Sequence, residues 1–83
     1  MDEITRSVLE VARGLADPED AAALDGPDAE LAAAGFGSLK TVGLLMELES
    51  RFAIRFPADA IDAETFRSVR SVAGRVRTLL APE

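Results

Sequence analysis

The chain contains no cysteine and no histidine, and these two absences exclude several kinds of chemistry at once. Without cysteine there are no disulfide bonds, no thiol nucleophile and no thiolate ligand for zinc. Without histidine the chain also lacks the side chain that most often serves as a general base or a metal ligand. The sequence therefore predicts neither catalytic residues nor a metal site, and we expect a protein that is not an enzyme.

Tryptophan and tyrosine are also absent, and four phenylalanines are the only aromatic residues among 83. Acidic residues outnumber basic ones by 15 to 9, which gives a formal net charge of −6. Few rings for base stacking and a surplus of negative charge make nucleic acid the least favoured partner. The same charge suits basic protein partners.

Long apolar runs are missing as well, since no stretch approaches the roughly 20 residues that a membrane-spanning helix needs. The first six residues are acidic and amphipathic, unlike a secretory signal. We therefore expect a cytoplasmic protein with no membrane segment. A chain of 83 residues has room for one small core, so the sequence predicts a single domain over residues 1–83.

Three stretches carry apolar residues at helical spacing, and each has a recognisable start. The first covers residues 2–16 with Asp2 as its cap, the second residues 38–52, and the last begins near Ser68 and leaves a frayed tail over residues 81–83. One face of the second helix is apolar, and we expect it to enter the core: Leu39, Val42, Leu45, Met46 and Phe52. Leu48 lies at the border of this face.

A long acidic segment, residues 17–37, separates the first two helices. Its alanine-rich pieces 21–23 and 30–34 predict short helical turns. Prolines and glycines break the rest, so the segment needs apolar anchors to hold it against the helices. The expected anchors are Leu24, Leu31 and Phe36.

After the second helix, residues 53–57 alternate apolar and polar side chains and predict an extended connector whose Ile54 and Phe56 enter the core. Pro57 suits the start of a brief helix over residues 58–62. The sum is three main helices, one short helix and a long first loop. The sequence therefore predicts an all-α four-helix bundle.

The second helix begins at Ser38, directly after a turn that contains Gly35 and Gly37. Serine is a favoured N-cap because its hydroxyl accepts a hydrogen bond from an amide of the first turn, so Ser38 taken alone predicts an ordinary cap. A helix start also has free amides and a partial positive charge that suit a phosphate. Catalysis by this serine is disfavoured, because only Lys40 is close in sequence and no histidine supplies a base.

The order of motifs around the serine resembles the acyl carrier and peptidyl carrier protein family. Leu39-Lys40-Thr41-Val42 follows the serine, and Glu49-Ser50-Arg51-Phe52 closes the helix. The segment Phe52-Ala53-Ile54-Arg55-Phe56-Pro57 is similar to the family's Phe-Gly-Ile-x-Ile-Pro connector. The resemblance covers nearly the whole chain and implies a bundle of the acyl-carrier type.

The resemblance implies that Ser38 carries 4′-phosphopantetheine, transferred from coenzyme A by a phosphopantetheinyl transferase. The thiol of this arm would hold an acyl or aminoacyl thioester, which a ligase loads and downstream biosynthetic enzymes receive. The implied arm or partner contacts are Gly37, Leu39, Lys40, Met46, Glu47 and Ile61. We expect a freestanding, monomeric carrier whose cargo, whether fatty acyl, polyketide or aminoacyl, stays open.

Three residues depart from the acidic pattern of typical family members: Gly37, Lys40 and Gly43. Negative charge on the second helix is thereby reduced mainly to Glu47 and Glu49. These departures indicate either a dedicated transferase or ligase partner, or a degenerate carrier that is never modified. The alternative function is therefore a small acidic helical interaction domain, in which Ser38 is only a helix N-cap.

Overall fold

In the computed structural model, which describes residues 1–81, the chain forms three α-helices: α1 (Glu3–Leu15), α2 (Ser38–Phe52) and α3 (Val69–Leu80). Single turns of 3-10 helix lie between them at Ala21–Ala23, Ala32–Ala34 and Ala58–Ala60. No strand occurs within this part of the chain, apart from one isolated bridge between Glu30 and Ser68. The predicted all-α fold is confirmed, while the predicted tail beyond Ala81 lies outside the described residues.

The fourth helix is shorter than the sequence predicts, because only the 3-10 turn Ala58–Ala60 forms within residues 58–62. Ile61 already leaves the helical region at φ −94° and ψ 76°. The Thr65 amide then donates to the Asp62 carboxylate at 2.8 Å and begins a separate turn. Local bonds of this kind compete with helix formation.

Side chains cap two of the three α-helices as the sequence predicts. Asp2 accepts a hydrogen bond from the Thr5 amide at 2.9 Å at the start of α1. Ser68 accepts one from the Ser71 amide at 3.1 Å at the start of α3, and Ser71 Oγ accepts one from the Ser68 amide at 2.9 Å. This reciprocal capping box uses serine where glutamate is usual, so its second half escaped prediction.

The long first loop is fixed to the start of α3 by backbone hydrogen bonds. The Leu31 amide donates to the Arg67 carbonyl at 2.9 Å, and the Val69 amide donates to the Ala29 carbonyl at 3.1 Å. Arg70 adds an ion pair to Asp28 at 2.7 Å. The three predicted loop anchors, Leu24, Leu31 and Phe36, are buried. Phe56 of the connector and the inner faces of α1 and α3 are buried as well.

The predicted core face of α2 is largely wrong. The helix buries Leu44, Leu45 and Leu48, whereas three of the five predicted core residues are exposed: Leu39, Val42 and Met46. Both groups follow helical spacing, so α2 has two apolar stripes and periodicity alone does not decide which one packs. Packing against α1 selects the leucine stripe. The other stripe faces outward, next to Ser38.

None of the helices within residues 1–81 has the length and apolar content that crossing a membrane requires.

We predict that Ala53→Gly stabilises the fold. Ala53 follows α2 with φ 54° and ψ 47°, a left-handed conformation that is costly for alanine and free of steric penalty for glycine. After the entropy cost of an added glycine, we expect the free energy of unfolding to rise by about 0.5–1 kcal/mol in urea titrations. Ala22→Gly, at an exposed residue without positive φ, is the control. An equal decrease in the free energy of unfolding of Ala53→Gly and Ala22→Gly would contradict this prediction.

Candidate functional site

Ser38 is the first residue of α2, and its side chain is not the helix cap. The cap is Gly37, whose carbonyl accepts the Thr41 amide at 3.0 Å and whose φ of −85° and ψ of −164° are extended. Within residues 1–81, no hydrogen bond involves the Ser38 hydroxyl. The prediction of Ser38 as an N-cap is therefore wrong, and an exposed serine hydroxyl is left without a structural partner.

The turn before Ser38 holds the serine in one place. Gly35 adopts φ +80°, and a Cβ there would meet Asp20 Oδ2 at 2.7 Å, so this position requires glycine. Phe36 is buried, and its amide donates to the Leu31 carbonyl at 3.0 Å. Because Phe36 is fixed in the core, Gly37 and Ser38 emerge at a defined point of the surface.

The start of α2 is electropositive. The first amides of a helix have no intrahelical acceptor, and the helix dipole adds partial positive charge there. The first turn of α2 contains no acidic residue, and it carries Lys40, which pairs with Asp17 at 3.4 Å. An anion attached to Ser38 would meet these free amides and the dipole.

Exposed apolar side chains lie next to Ser38 and continue along α2. We call Leu39, Val42, Met46 and Ile61 the apolar patch; their exposed fractions are 88%, 50%, 61% and 50%. The other large apolar side chains that are exposed within the described residues lie near the chain ends: Met1 and Leu80. The large exposed apolar surface is thus concentrated beside one free hydroxyl, which is typical of a surface that meets a partner.

An open groove of about 540 Å³ begins at Ser38. One wall comes from α2 and the other from residues 61–63, while Phe36 and Phe66 contribute apolar surface between them. Charged side chains also line it: Glu30, Asp62 and Arg67. Hydrogen bonds from Thr65 to the Asp62 carboxylate lower its pKa below the ordinary value, so it is ionised at neutral pH. The groove therefore combines apolar surface with a charged border.

The predicted contact residues are not all brought together. Gly37, Leu39 and Ile61 lie around Ser38 or its groove, and Met46 continues the apolar patch along α2. Lys40 and Glu47 are seven residues apart and share another face of the helix, away from Val42. Sequence reasoning missed Thr41 and Phe66 as groove residues; the helical spacing of Thr41 from Ser38 was a signal for the first only.

Comparison with known proteins identifies the chain's relatives. Residues 3–76 match the family described as "Phosphopantetheine attachment site". An aminoacyl carrier protein of Agrobacterium fabrum is 30% identical over 80 residues, which cover 96% of this chain and 93% of that protein. Aminoacyl carrier protein 1 of Bradyrhizobium diazoefficiens is 28% identical over 80 residues, which cover 96% of this chain and 89% of that protein.

The cofactor of this family is a covalently attached 4′-phosphopantetheine, and the residues of this chain fit it. The group needs an exposed hydroxyl for its phosphodiester, and Ser38 supplies one that no hydrogen bond within residues 1–81 engages. The free amides at the start of α2 favour the phosphate charge. When bound, the group supplies a thiol at the end of a flexible arm.

We predict that Gly37→Asp stabilises the start of α2. A Cβ at Gly37 would meet no atom within 4 Å, and its φ is negative, so a side chain fits there without strain. An aspartate at this cap can accept amide hydrogen bonds and complement the dipole, which should raise the free energy of unfolding by about 0.3–1 kcal/mol.

Gly37→Asn is the matched control, since it offers the same acceptor without the charge. Urea unfolding at low and high salt should show a gain for Gly37→Asp that shrinks with salt, and a smaller, salt-independent gain for Gly37→Asn. Lower stability in both variants would contradict the open geometry of this cap.

Proposed function

The chain belongs to the phosphopantetheine attachment family of carrier proteins, and from this premise we propose that Ser38 is its attachment residue. The observation that carries the proposal is the state of the Ser38 hydroxyl. It is exposed at the first turn of a helix, and the helix is capped by Gly37 without it. A phosphodiester formed there replaces no structural hydrogen bond among the described residues.

The work of the protein is to display cargo. A phosphopantetheinyl transferase transfers the arm from coenzyme A to the Ser38 hydroxyl. The new phosphate ester replaces the phosphoanhydride bond of coenzyme A, adenosine 3′,5′-bisphosphate leaves, and the hydroxyl loses its proton. Partner enzymes then load and remove an acyl group as a thioester on the thiol of the arm. The chain needs no catalytic residue for this, because the partners supply the chemistry. Its own contribution is a fixed anchor, which the turn at Gly35 and the buried Phe36 provide.

We favour an aminoacyl cargo. Both relatives named above are called aminoacyl carrier proteins, and each aligns over nearly the whole of this chain. The loading partner would then be a ligase that activates an amino acid and transfers it to the thiol. A fatty acyl or polyketide cargo is the competing outcome, which loading assays with amino acids and acyl groups distinguish.

Partner enzymes must reach the thiol, so their docking surface lies near Ser38. The apolar patch flanks this residue, and Gly37 leaves the first turn of the helix open to a partner's backbone. Lys40 and Glu47 lie on another face of α2, so in this proposal they are charged contacts apart from the patch. Glu49 is already engaged by the Phe56 amide at 2.9 Å, so it contributes less to docking than the sequence pattern indicates.

We predict that Ser38→Ala abolishes modification and leaves stability unchanged within about 0.5 kcal/mol, because the hydroxyl makes no structural bond. Ser68→Ala is the matched control. It removes the cap of α3 and should lower the free energy of unfolding by about 1 kcal/mol while modification continues. Intact mass after incubation with coenzyme A, Mg²⁺ and transferase, together with urea unfolding, measures both effects.

Two results would contradict the proposal. A phosphopantetheine gain in Ser38→Ala would place the attachment elsewhere. No gain in the unmutated chain with several transferases would leave the acidic interaction domain as the better account, although without Ser38 as its helix cap.

A second prediction concerns the apolar patch. Met46→Gln is expected to raise the KM of the loading ligase for the carrier about tenfold, because a buried apolar contact at an interface is replaced by a polar one. Stability should change little, since Met46 is exposed. Leu80→Gln, at an exposed residue near the end of α3, is the control and should load normally. Equal KM values for the two variants would exclude Met46 from the docking surface.

A further inference from the structure

Lys40 is the only lysine in the chain, because the other basic residues are all arginines. The difference matters beside a thioester. The amine of lysine becomes a nucleophile when it loses its proton, whereas the guanidinium of arginine keeps its proton and does not. The chain also has no cysteine. Lys40 therefore supplies the only side-chain amine in these 83 residues, and it lies two residues after Ser38.

The structure holds the Lys40 amine in an ion pair. Its Nζ lies 3.4 Å from Asp17 Oδ1, and only 28% of the Lys40 side chain is exposed. Asp17 comes directly after the cap of α1, so the pair joins the end of α1 to the first turn of α2. An ammonium group in such a pair has no lone pair with which to attack a carbonyl. The closed ion pair therefore keeps the amine from reacting.

A cargo attached through Ser38 is within reach of Lys40. Side chains two residues apart lie on different sides of a helix, so the arm has to cross the start of α2. A helix with its side chains is roughly 10–12 Å wide. The phosphopantetheine arm has nearly as many bonds as five residues of extended chain and spans about 16–18 Å. The way over the helix start is open, since a Cβ at Gly37 would meet no atom within 4 Å.

We propose that Lys40 accepts the acyl group from a thioester on the chain's own arm, and that the ion pair with Asp17 restrains this transfer. The inference rests on the proposed attachment at Ser38. It makes Lys40 a site of covalent modification by the cargo, which is a role distinct from that of a charged docking contact.

The step is the transfer of an acyl group from sulfur to nitrogen. Lys40 Nζ separates from Asp17, gives one proton to solvent and attacks the thioester carbonyl with the lone pair so released. An amide C–N bond forms and the C–S bond breaks. The thiolate of the arm leaves with the bonding electrons and takes up the second proton of the nitrogen. The products are an acylated Lys40 and a free thiol, and no further reactant is needed.

Attachment of both groups to one chain makes the transfer intramolecular. A tether raises the effective concentration of the thioester at the amine, so the rate does not depend on protein concentration. The product has lost the charge of Lys40 and with it the ion pair to Asp17. The transfer therefore discharges the carrier and marks it permanently, so the restraint by Asp17 prolongs the life of a loaded carrier.

Transfer from an acetylated arm tests the proposal. A transferase that accepts acetyl coenzyme A installs the arm with its acetyl group in place, and intact mass confirms the loading. Excess acetyl coenzyme A is then removed. Hydroxylamine cleaves thioesters and leaves amides, so any acetyl group that survives it is bound to nitrogen. Trypsin does not cleave after an acetylated lysine, so acetylation of Lys40 replaces the peptide of residues 14–40 by one of residues 14–51.

Four variants separate the parts of the proposal. Lys40→Arg keeps the positive charge and removes the amine. Asp17→Asn removes the charge of the ion pair. Glu19→Gln removes an equal charge from an exposed residue of the same loop that belongs to no ion pair within residues 1–81. Ser38→Ala, which lacks the attachment hydroxyl, measures direct acetylation by acetyl coenzyme A. Rates are taken per loaded chain, so differences in loading do not enter.

We expect acetyl that resists hydroxylamine to accumulate on Lys40 at a rate independent of protein concentration. Asp17→Asn should raise this rate about 1.5- to 5-fold, the range in which an exposed ion pair shifts an equilibrium. Glu19→Gln should match the unmutated chain, and Lys40→Arg and Ser38→Ala should retain no acetyl.

Three results would each overturn part of the proposal. Resistant acetyl that is absent from the unmutated chain, or present in Lys40→Arg, would overturn Lys40 as the acceptor. A rate that rises with protein concentration would overturn transfer from the chain's own arm, and equal rates in Asp17→Asn and Glu19→Gln would overturn the restraint. None of these results affects the attachment, which intact mass reports separately. Absence of the mass gain in the unmutated chain would instead overturn the proposed function.

Discussion

The burial of Phe36 is the constraint on which the site depends. Phe36 inserts into the core between helices, and its amide is bonded to the Leu31 carbonyl at 3.0 Å. Leu31 is in turn bonded to Arg67 at the start of α3. A flexible loop of this length would leave the start of α2 mobile relative to the groove. Because the loop is tied to α3 on one side and to the core on the other, Ser38 has a fixed position beside residues 61–66.

The division of α2 into two apolar stripes has a functional consequence. One stripe, with Leu44 and Leu48, holds the helix against α1, and the other stays exposed around Ser38. A helix that buried all its apolar residues in the core would present only polar surface to a partner. Here the exposed stripe begins beside the free serine and continues along α2, so the proposed docking surface adjoins the proposed attachment point.

Much of this architecture could be predicted from the sequence, because the signals are local. Asp2 and Ser68 mark the starts of two helices, and Pro57 marks the end of the connector. The motifs around Ser38 indicate the family that the comparisons then show. What escaped prediction depends on tertiary contacts. The exposed stripe of α2 has the same periodicity as the buried one, so only packing against α1 distinguishes them.

The cap at Gly37 escaped prediction for a related reason. Serine and glycine both occur as helix caps, and a cap at Ser38 would make Leu39 the first residue of the helix. Only the backbone conformation shows that the cap is Gly37 and that the helix begins at Ser38. Phe66 is recognisable as a groove residue only when residues 61–66 are placed opposite α2.

Peptide mapping of the modified protein tests the central claim, attachment at Ser38, most directly. Trypsin cleaves after Arg13 and Lys40, and Ser38 is the only residue with a hydroxyl in the resulting peptide of residues 14–40. We expect one phosphopantetheine per chain, found on this peptide alone. Its appearance on a peptide from residues 41–81 instead, at Thr41, Ser50 or any other hydroxyl, would contradict the account.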